Sequence, residues 1–253
     1  MSSIDEREAI QYLSNIATVF LIHNRPITRP IDDSVVRVIM KRELLLRRAR
    51  GYAPLPITIN LSPKIQQPQS KLLAVGAHFK NTIAFSLLQQ VFVSQHIGDL
   101  ATVAALKAFN QAIADFQQLY QLQPLTIACD AHPDYVSTQF AQNSGLPTIP
   151  VQHHYAHVLS CMAENDLLRN ENSILGIAWD GTGYGLDGTI WGGEFLQIQP
   201  LRSLTSDPEI PFQRVAHLRT FRLPGGEKAI KEPRRVAIGL LYEIAEDALF
   251  TMN

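Results

Sequence analysis

The sequence predicts an α/β fold in two unequal units, and three observations point to it. Apolar runs of strand length alternate with longer stretches of helical periodicity from about residue 72 onward. The segment INLSPKIQQPQSK, polar and punctuated by proline, separates this region from a shorter one before it. Beyond residue 173 the order of elements begins again.

In the first unit, residues 5–20 place Ile10, Leu13, Ile16, Ala17 and Phe20 on one helical stripe. Pro26 and Pro30 interrupt regularity before the β-branched run SVVRVIM, and residues 41–50 admit either a basic helix or a hairpin edge. Pro54 and Pro56 close the unit. In the second, LLAVGAHF, TIAFSLL and VFVSQH are spaced as adjacent antiparallel strands. Asp99 is a candidate N-cap for a helix through about residue 122, with Val103, Leu106, Phe109, Ile113, Phe116 and Tyr120 as its buried stripe. LTIACD follows as a buried strand, DYVSTQFAQNSG as a helix closed by Gly145, TIPVQ as a strand and HHYAHVLSCMAEN as a helix. Three strands, helix, strand, helix, strand, helix is the order of one actin-like (ribonuclease-H-like) half-domain. SILGIAWDGTGYG, TIWGGEFLQI and the residues around 214–222 then open a second half, followed by one helix over about 232–249. Two such halves face each other across a nucleotide cleft, so the second half is expected to be incomplete.

Composition narrows the function classes. With 46% hydrophobic and 18% charged residues, the chain has material for a core and is not of the disordered class. Its 22 basic and 23 acidic residues leave a net charge of -1, so neither nucleic acid nor an acidic membrane is an expected partner. Cys129 and Cys161 form no CxxC pair, which argues against a disulfide framework and a cysteine-ligated zinc. No run approaches the roughly 20 apolar residues of a membrane span, and the expected compartment is the cytoplasm.

Two histidines carry the strongest chemical signal. His153 and His157 stand four residues apart where a buried strand leads into a helix, which puts both imidazoles on one face. A solvent-facing pair is the commoner meaning of His-x-x-x-His, but strand C-termini are where open α/β sheets place ligands. Asp180 ends the strand ILGIAWD and precedes Gly181, Thr182, Gly183 and Gly185, a spacing that suits close approach of backbone N–H groups to phosphate. Asp-Gly is equally a hairpin signal, and both readings stand. Lys80 and Asn81 occupy the symmetric position between the first two strands of the first half. His132 follows LTIACD at another strand end, where it either lines the cleft or leads into the next helix; Cys161 reads as a buried structural thiol.

Eight phrases carry a resemblance to a known family. FLIHNRPITRPIDDSVVRV, RRARGYAPLPI, LAVGAHFKNT, FVSQHIGDL, HPDYVSTQFA, VQHHYAHVLSCMAEN, WDGTGYGLDGTIWGGEF and LPGGEKAIKEPRRVA, in this order, resemble the HypF family of hydrogenase-maturation carbamoyltransferases. The resemblance implies that residues 1–60 are the C-terminal part of a YrdC-like α/β domain. Residues 61–70 would then be a linker, and 71–253 the N-terminal part of an actin-like carbamoyl-transfer domain. It implies an enzyme that makes carbamoyl-adenylate from carbamoyl phosphate and ATP, with Mg accompanying the ATP. The carbamoyl group would pass to the C-terminal cysteine of a partner, HypE, on the way to the cyanide ligand of [NiFe]-hydrogenase. By the same resemblance His153, His157 and Asp180 are ligands of a divalent metal, zinc or iron. Lys80, Asn81, Gly181, Thr182, Gly183 and Gly185 fall at positions contacting nucleotide or carbamoyl, and Asn24, Arg25, Ser34 and Arg50 in motifs facing the adenylate site.

The chain also departs from the family pattern. The family's acylphosphatase-like domain, its CxxC zinc fingers and a late aspartate ligand have no counterpart here. The expectation is therefore a truncated enzyme with pieces of two active sites. An inactive or partner-binding remnant and a small-molecule O-carbamoyltransferase are the alternatives, and the YrdC-like tail stands against the latter.

Overall fold

The computed structural model describes residues 5–27, 29–61, 71–200 and 212–245. Beyond Leu61 the expected linker lies outside the described residues, as does the last helix past residue 245.

The first unit opens with α1 (Glu6–Leu13), capped by Asp5, whose Oδ1 accepts hydrogen bonds from the amides of Arg7 and Glu8. The helix stops well short of residue 20. None of its side chains is buried, and a helix this short gains little without packing. Strands β1 (Val35–Ile39) and β2 (Arg42–Arg47) form an antiparallel hairpin, so residues 41–50 take the edge alternative. Its two-residue turn has positive φ at both Met40 and Lys41, the twist that matches flanking strands.

The next six strands make one sheet: β3 (Pro56–Thr58), β4 (Leu72–Ala74), β5 (Ala84–Leu87), β6 (Gln90–Val93), β7 (Thr126–Asp130) and β8 (Thr148–Val151). They lie in the order β3-β6-β5-β4-β7-β8, with β4, β7 and β8 parallel and the remaining pairs antiparallel. Strand β3 precedes residues 61–70 yet hydrogen-bonds along β6, joining the sheet that follows them. Helices α2 (Val103–Tyr120) and α3 (Val136–Asn143) make the crossovers. Thr102, not Asp99, caps α2: its hydroxyl accepts from the Ala105 amide, while Asp99 accepts from Ala101 one turn too early. Phe109, Ile113 and Phe116 are buried as the stripe predicts, whereas Val103 at the exposed first turn is not. They pack on Leu73, Ile83, Phe85, Phe92 and Ile127 of the sheet.

Helix α4 (His153–Glu164) then leads to a second sheet of β9 (Ile174–Tyr184), β10 (Ile190–Ile198) and β11 (Phe212–His217). Its order β11-β10-β9 repeats β6-β5-β4 of the first, so the predicted restart of the unit is present. Tyr155, Val158 and Met162 of α4 cluster with Ala178, Leu196, Ile198 and Phe212 of this sheet. The approach is close enough that a Cβ on Gly176 would meet Val158 Cγ1 at 2.4 Å. Helices α5 (Glu227–Lys231) and α6 (Pro233–Ala245) follow. Among the described residues no helix is long and apolar enough to cross a membrane.

Candidate metal centre

The site lies where the parallel strands β7 and β8 end and α4 begins. Helix α4 starts at His153 because Gln152 caps it, its Oε1 accepting from the Tyr155 amide at 2.9 Å. The same buried side chain donates from Nε2 to the Tyr184 carbonyl at 3.1 Å, tying the start of the helix to the end of β9. His153 and His157 then share a face one turn apart.

Asp180 reaches them through a bulge. Strand β9 pairs with β10 at Trp179↔Gly193 and resumes at Gly183↔Trp191, so Asp180, Gly181 and Thr182 stand opposite Gly192 alone. Bulges re-aim side chains, and this one turns the Asp180 carboxylate toward α4. Its Oδ1 accepts from the Gly181 amide at 2.7 Å, which fixes the rotamer. Gly183 is needed on the far side of the bulge, because a Cβ there would meet the His154 ring at 2.5 Å.

The three donor atoms converge. His153 Nε2 lies 3.1 Å from Asp180 Oδ2 and 3.2 Å from His157 Nε2, and His157 Nε2 lies 3.3 Å from Asp180 Oδ2. Ligands on a tetrahedral zinc at about 2.0 Å sit roughly 3.3 Å from one another, so one ion fits among these atoms. Two imidazoles and a carboxylate suit zinc or iron and leave a position open.

A fourth group, Asp130, was not singled out in the sequence. As the last residue of β7 it is 7% exposed, and its Oδ2 accepts from His153 Nδ1–H at 2.7 Å. A carboxylate ending a buried parallel strand at the ligand-binding edge was the available signal. Flanked by Asp130 and then Asp180, the His153 imidazole is raised from 6.5 to about 9 in the metal-free protein. Asp180 is held far below the usual carboxylate range by hydrogen bonds from His153 and then His157.

Known proteins match this chain along most of its length. The family described as the HypF Kae1-like domain matches residues 67–164, and the carbamoyltransferase Kae1-like domain, second subdomain, matches 176–252. A carbamoyltransferase HypF of Synechocystis sp. is 52% identical over 94% of this chain and 29% of its own length. The chain belongs to the HypF family. A probable HypF of Methanocaldococcus jannaschii is 34% identical, over 96% of this chain and 30% of its own. The chain thus spans about three tenths of the length of these curated relatives. A crystal structure of full-length HypF in a phosphate- and nucleotide-bound form superposes with a TM-score of 0.84 at 41% identity, covering 98% of this chain and 36% of that one. The HypF of T. kodakarensis gives 0.81 at 36% identity, covering 96% and 30%. The α/β fold is accordingly the actin-like one of HypF.

Other positions expected in the site are distributed more widely. Asn81 is 1% exposed and donates its amide to the Val75 and Ala77 carbonyls, so it fastens the loop after β4. Lys80 beside it is exposed, in the left-handed region. The hairpin turn of the glycine-rich stretch does not fall at 181–183. The strand runs through Tyr184, and the turn falls beyond, where the Gly185 amide donates to the Thr189 carbonyl. Gly181 and Thr182 lie in the bulge, Gly183 against α4, and Gly185 against Trp191 at the turn. Ser34 donates to the Arg50 carbonyl and accepts from the Ala49 amide, and the Arg50 side chain reaches Asp33. Asn24 and Arg25 line a cleft beside α1, and among the described residues no hydrogen bond joins them to Ser34 or Arg50. His132 stacks on Tyr135 at 4.1 Å next to Tyr184, at the mouth of the site. Cys161 is exposed, not buried as the sequence suggested, and lines a groove with His157 and Asp180.

Proposed function

We propose that this chain carries the metal-binding part of the transfer centre in a carbamoyltransferase of [NiFe]-hydrogenase maturation. The observation that carries the proposal is the convergence of His153, His157 and Asp180 from both halves of an actin-like fold. Relatives named carbamoyltransferase HypF, and one crystallised with phosphate and nucleotide, support the substrate class. The substrates are carbamoyl phosphate and Mg-ATP, the activated species is carbamoyl-adenylate, and the acceptor is the C-terminal cysteine of a HypE-like protein. Residues 1–60 form the end of a YrdC-like domain, with Asn24, Arg25, Ser34 and Arg50 on the adenylate side. Residues 61–70 link it to the transfer domain at 71–253, whose sheet recruits β3 from across the linker.

A zinc or iron ion at the three ligands would supply Lewis acidity toward a carbamoyl or phosphate oxygen. The chain's own groups prepare that position. Asp180 lowers the local charge of a bound cation and is locked by the Gly181 amide. Asp130 holds His153 through its Nδ1–H. Orientation of substrate against this fixed frame is where the rate gain arises.

Elemental analysis tests the site. The purified protein is expected to hold stoichiometric zinc or iron, and His153→Ala with His157→Ala to lose it; unchanged metal content sinks the assignment. Carbamoyl-phosphate-dependent ATP turnover, in a full-length relative carrying the same two substitutions and with the acceptor present, tests the reaction. Turnover and acceptor carbamoylation equal to wild type would reject it.

A further inference from the structure

Resting on the metal centre proposed above, we infer that Asp130 is its positioning residue, and that it makes the two histidines unequal. The carboxylate is fixed before it meets the imidazole. Its Oδ1 accepts from the His132 amide at 2.8 Å, and its backbone carbonyl accepts from the Thr138 hydroxyl at 3.0 Å. Strand β7, buried between β4 and β8, holds the backbone itself. Only Oδ2 remains, and it takes the His153 Nδ1–H at 2.7 Å. That bond keeps a proton on Nδ1 and leaves Nε2, aimed at Asp180 and His157, as the nitrogen that would ligate the metal. Carboxylate partners of this kind orient ligating imidazoles and raise their basicity.

His157 has no such holder. Its side chain is 56% exposed, and among the described residues no hydrogen bond restrains its Nδ1. His153 is therefore the preset ligand, and His157, one turn along the same helix, is the less restrained one. Asp130 also binds the loop that stacks His132 on Tyr135, so one carboxylate sets both the ligand and the aromatic wall beside it.

The test is a zinc titration against a chromogenic chelator, repeated with cobalt to read the ligand field, on wild type, Asp130→Ala, Asp130→Asn and His157→Ala. Asp130→Ala is expected to weaken zinc by about 10- to 100-fold. Asp130→Asn is expected to fall between, because the amide oxygen still accepts Nδ1–H, and the cobalt bands should shift in the same order. A role in folding alone would not grade the affinity this way. Asp130→Asn, nearly isosteric, keeps the result readable should the alanine variant fail to fold. Binding by both folded Asp130 variants within about twofold of wild type, with His157→Ala deficient, overturns this inference alone. Zinc retained by His157→Ala at wild-type affinity overturns the metal centre and this inference with it.

Discussion

The six-stranded and three-stranded sheets open with the same strand order but differ in what covers them. In the first, α2 and α3 close over the strands, and Phe85 and Phe109 are completely buried. In the second, α4 covers one face, while Leu175, Ile177 and Trp179 on the other are 58%, 57% and 72% exposed. The candidate site takes Asp130 from the first sheet, Asp180 from the second, and His153 and His157 from α4 between them. The seam contacts of Gln152 with Tyr184 and of α4 with Gly183 keep these groups in register.

The difference predicts a ranking of substitutions. Phe109→Ala, in the closed half, should cost about 3–5 kcal/mol by urea unfolding. A loss below about 1 kcal/mol would mean the first sheet is no better packed than the second. Gly176→Ala, at the seam, should cost about 1–3 kcal/mol, since the added methyl must displace Val158. It should also weaken zinc binding by moving β9 off α4; intact affinity in a destabilised variant would separate packing from site geometry.

A pH series probes the seam without mutation. His153 is raised in the metal-free fold from 6.5 to about 9, chiefly by Asp130 and then by Asp180. Its contribution is fully present below pH 6.5 and is lost as pH rises through about 9. The melting temperature of the metal-free protein should therefore fall across that window, and His153→Ala should flatten the curve. An unchanged slope in the variant would remove His153 as the cause. The smallest effect belongs to the open face. Trp179→Ser should change unfolding free energy by no more than about 0.5 kcal/mol and reduce light scattering from self-association. A cost comparable to Phe109→Ala would show that the face is covered in solution.

Much of this was legible in the sequence, for physical reasons that differ by element. The strand-to-helix passage into His153 and His157 shows itself because the strand run and the four-residue step are both local. Asp180 was visible as a carboxylate ending an apolar run. The bulge was not, because glycines at 181, 183 and 185 serve a turn as well as a close approach, and only pairing with β10 decides. Asp130 escaped because its partner lies 23 residues away on another element, and a polar residue after an apolar strand looks like its ordinary end. The hairpin over 35–47 was ambiguous since Met40 and Lys41 carry no signal for positive φ. The burial of Asn81 was not legible, because the two carbonyls its amide serves are fixed by the path of the loop after β4 and not by the local sequence.

The central claim is that the seam between two unequally covered sheets brings His153, His157 and Asp180 to one ion. X-ray absorption at the zinc edge, on the protein loaded with one equivalent of zinc, addresses it most directly. The account predicts scattering from two imidazole nitrogens and a carboxylate oxygen at about 2.0 Å, with one imidazole lost in His157→Ala. A spectrum lacking imidazole shells, or one unchanged by that substitution, would contradict it.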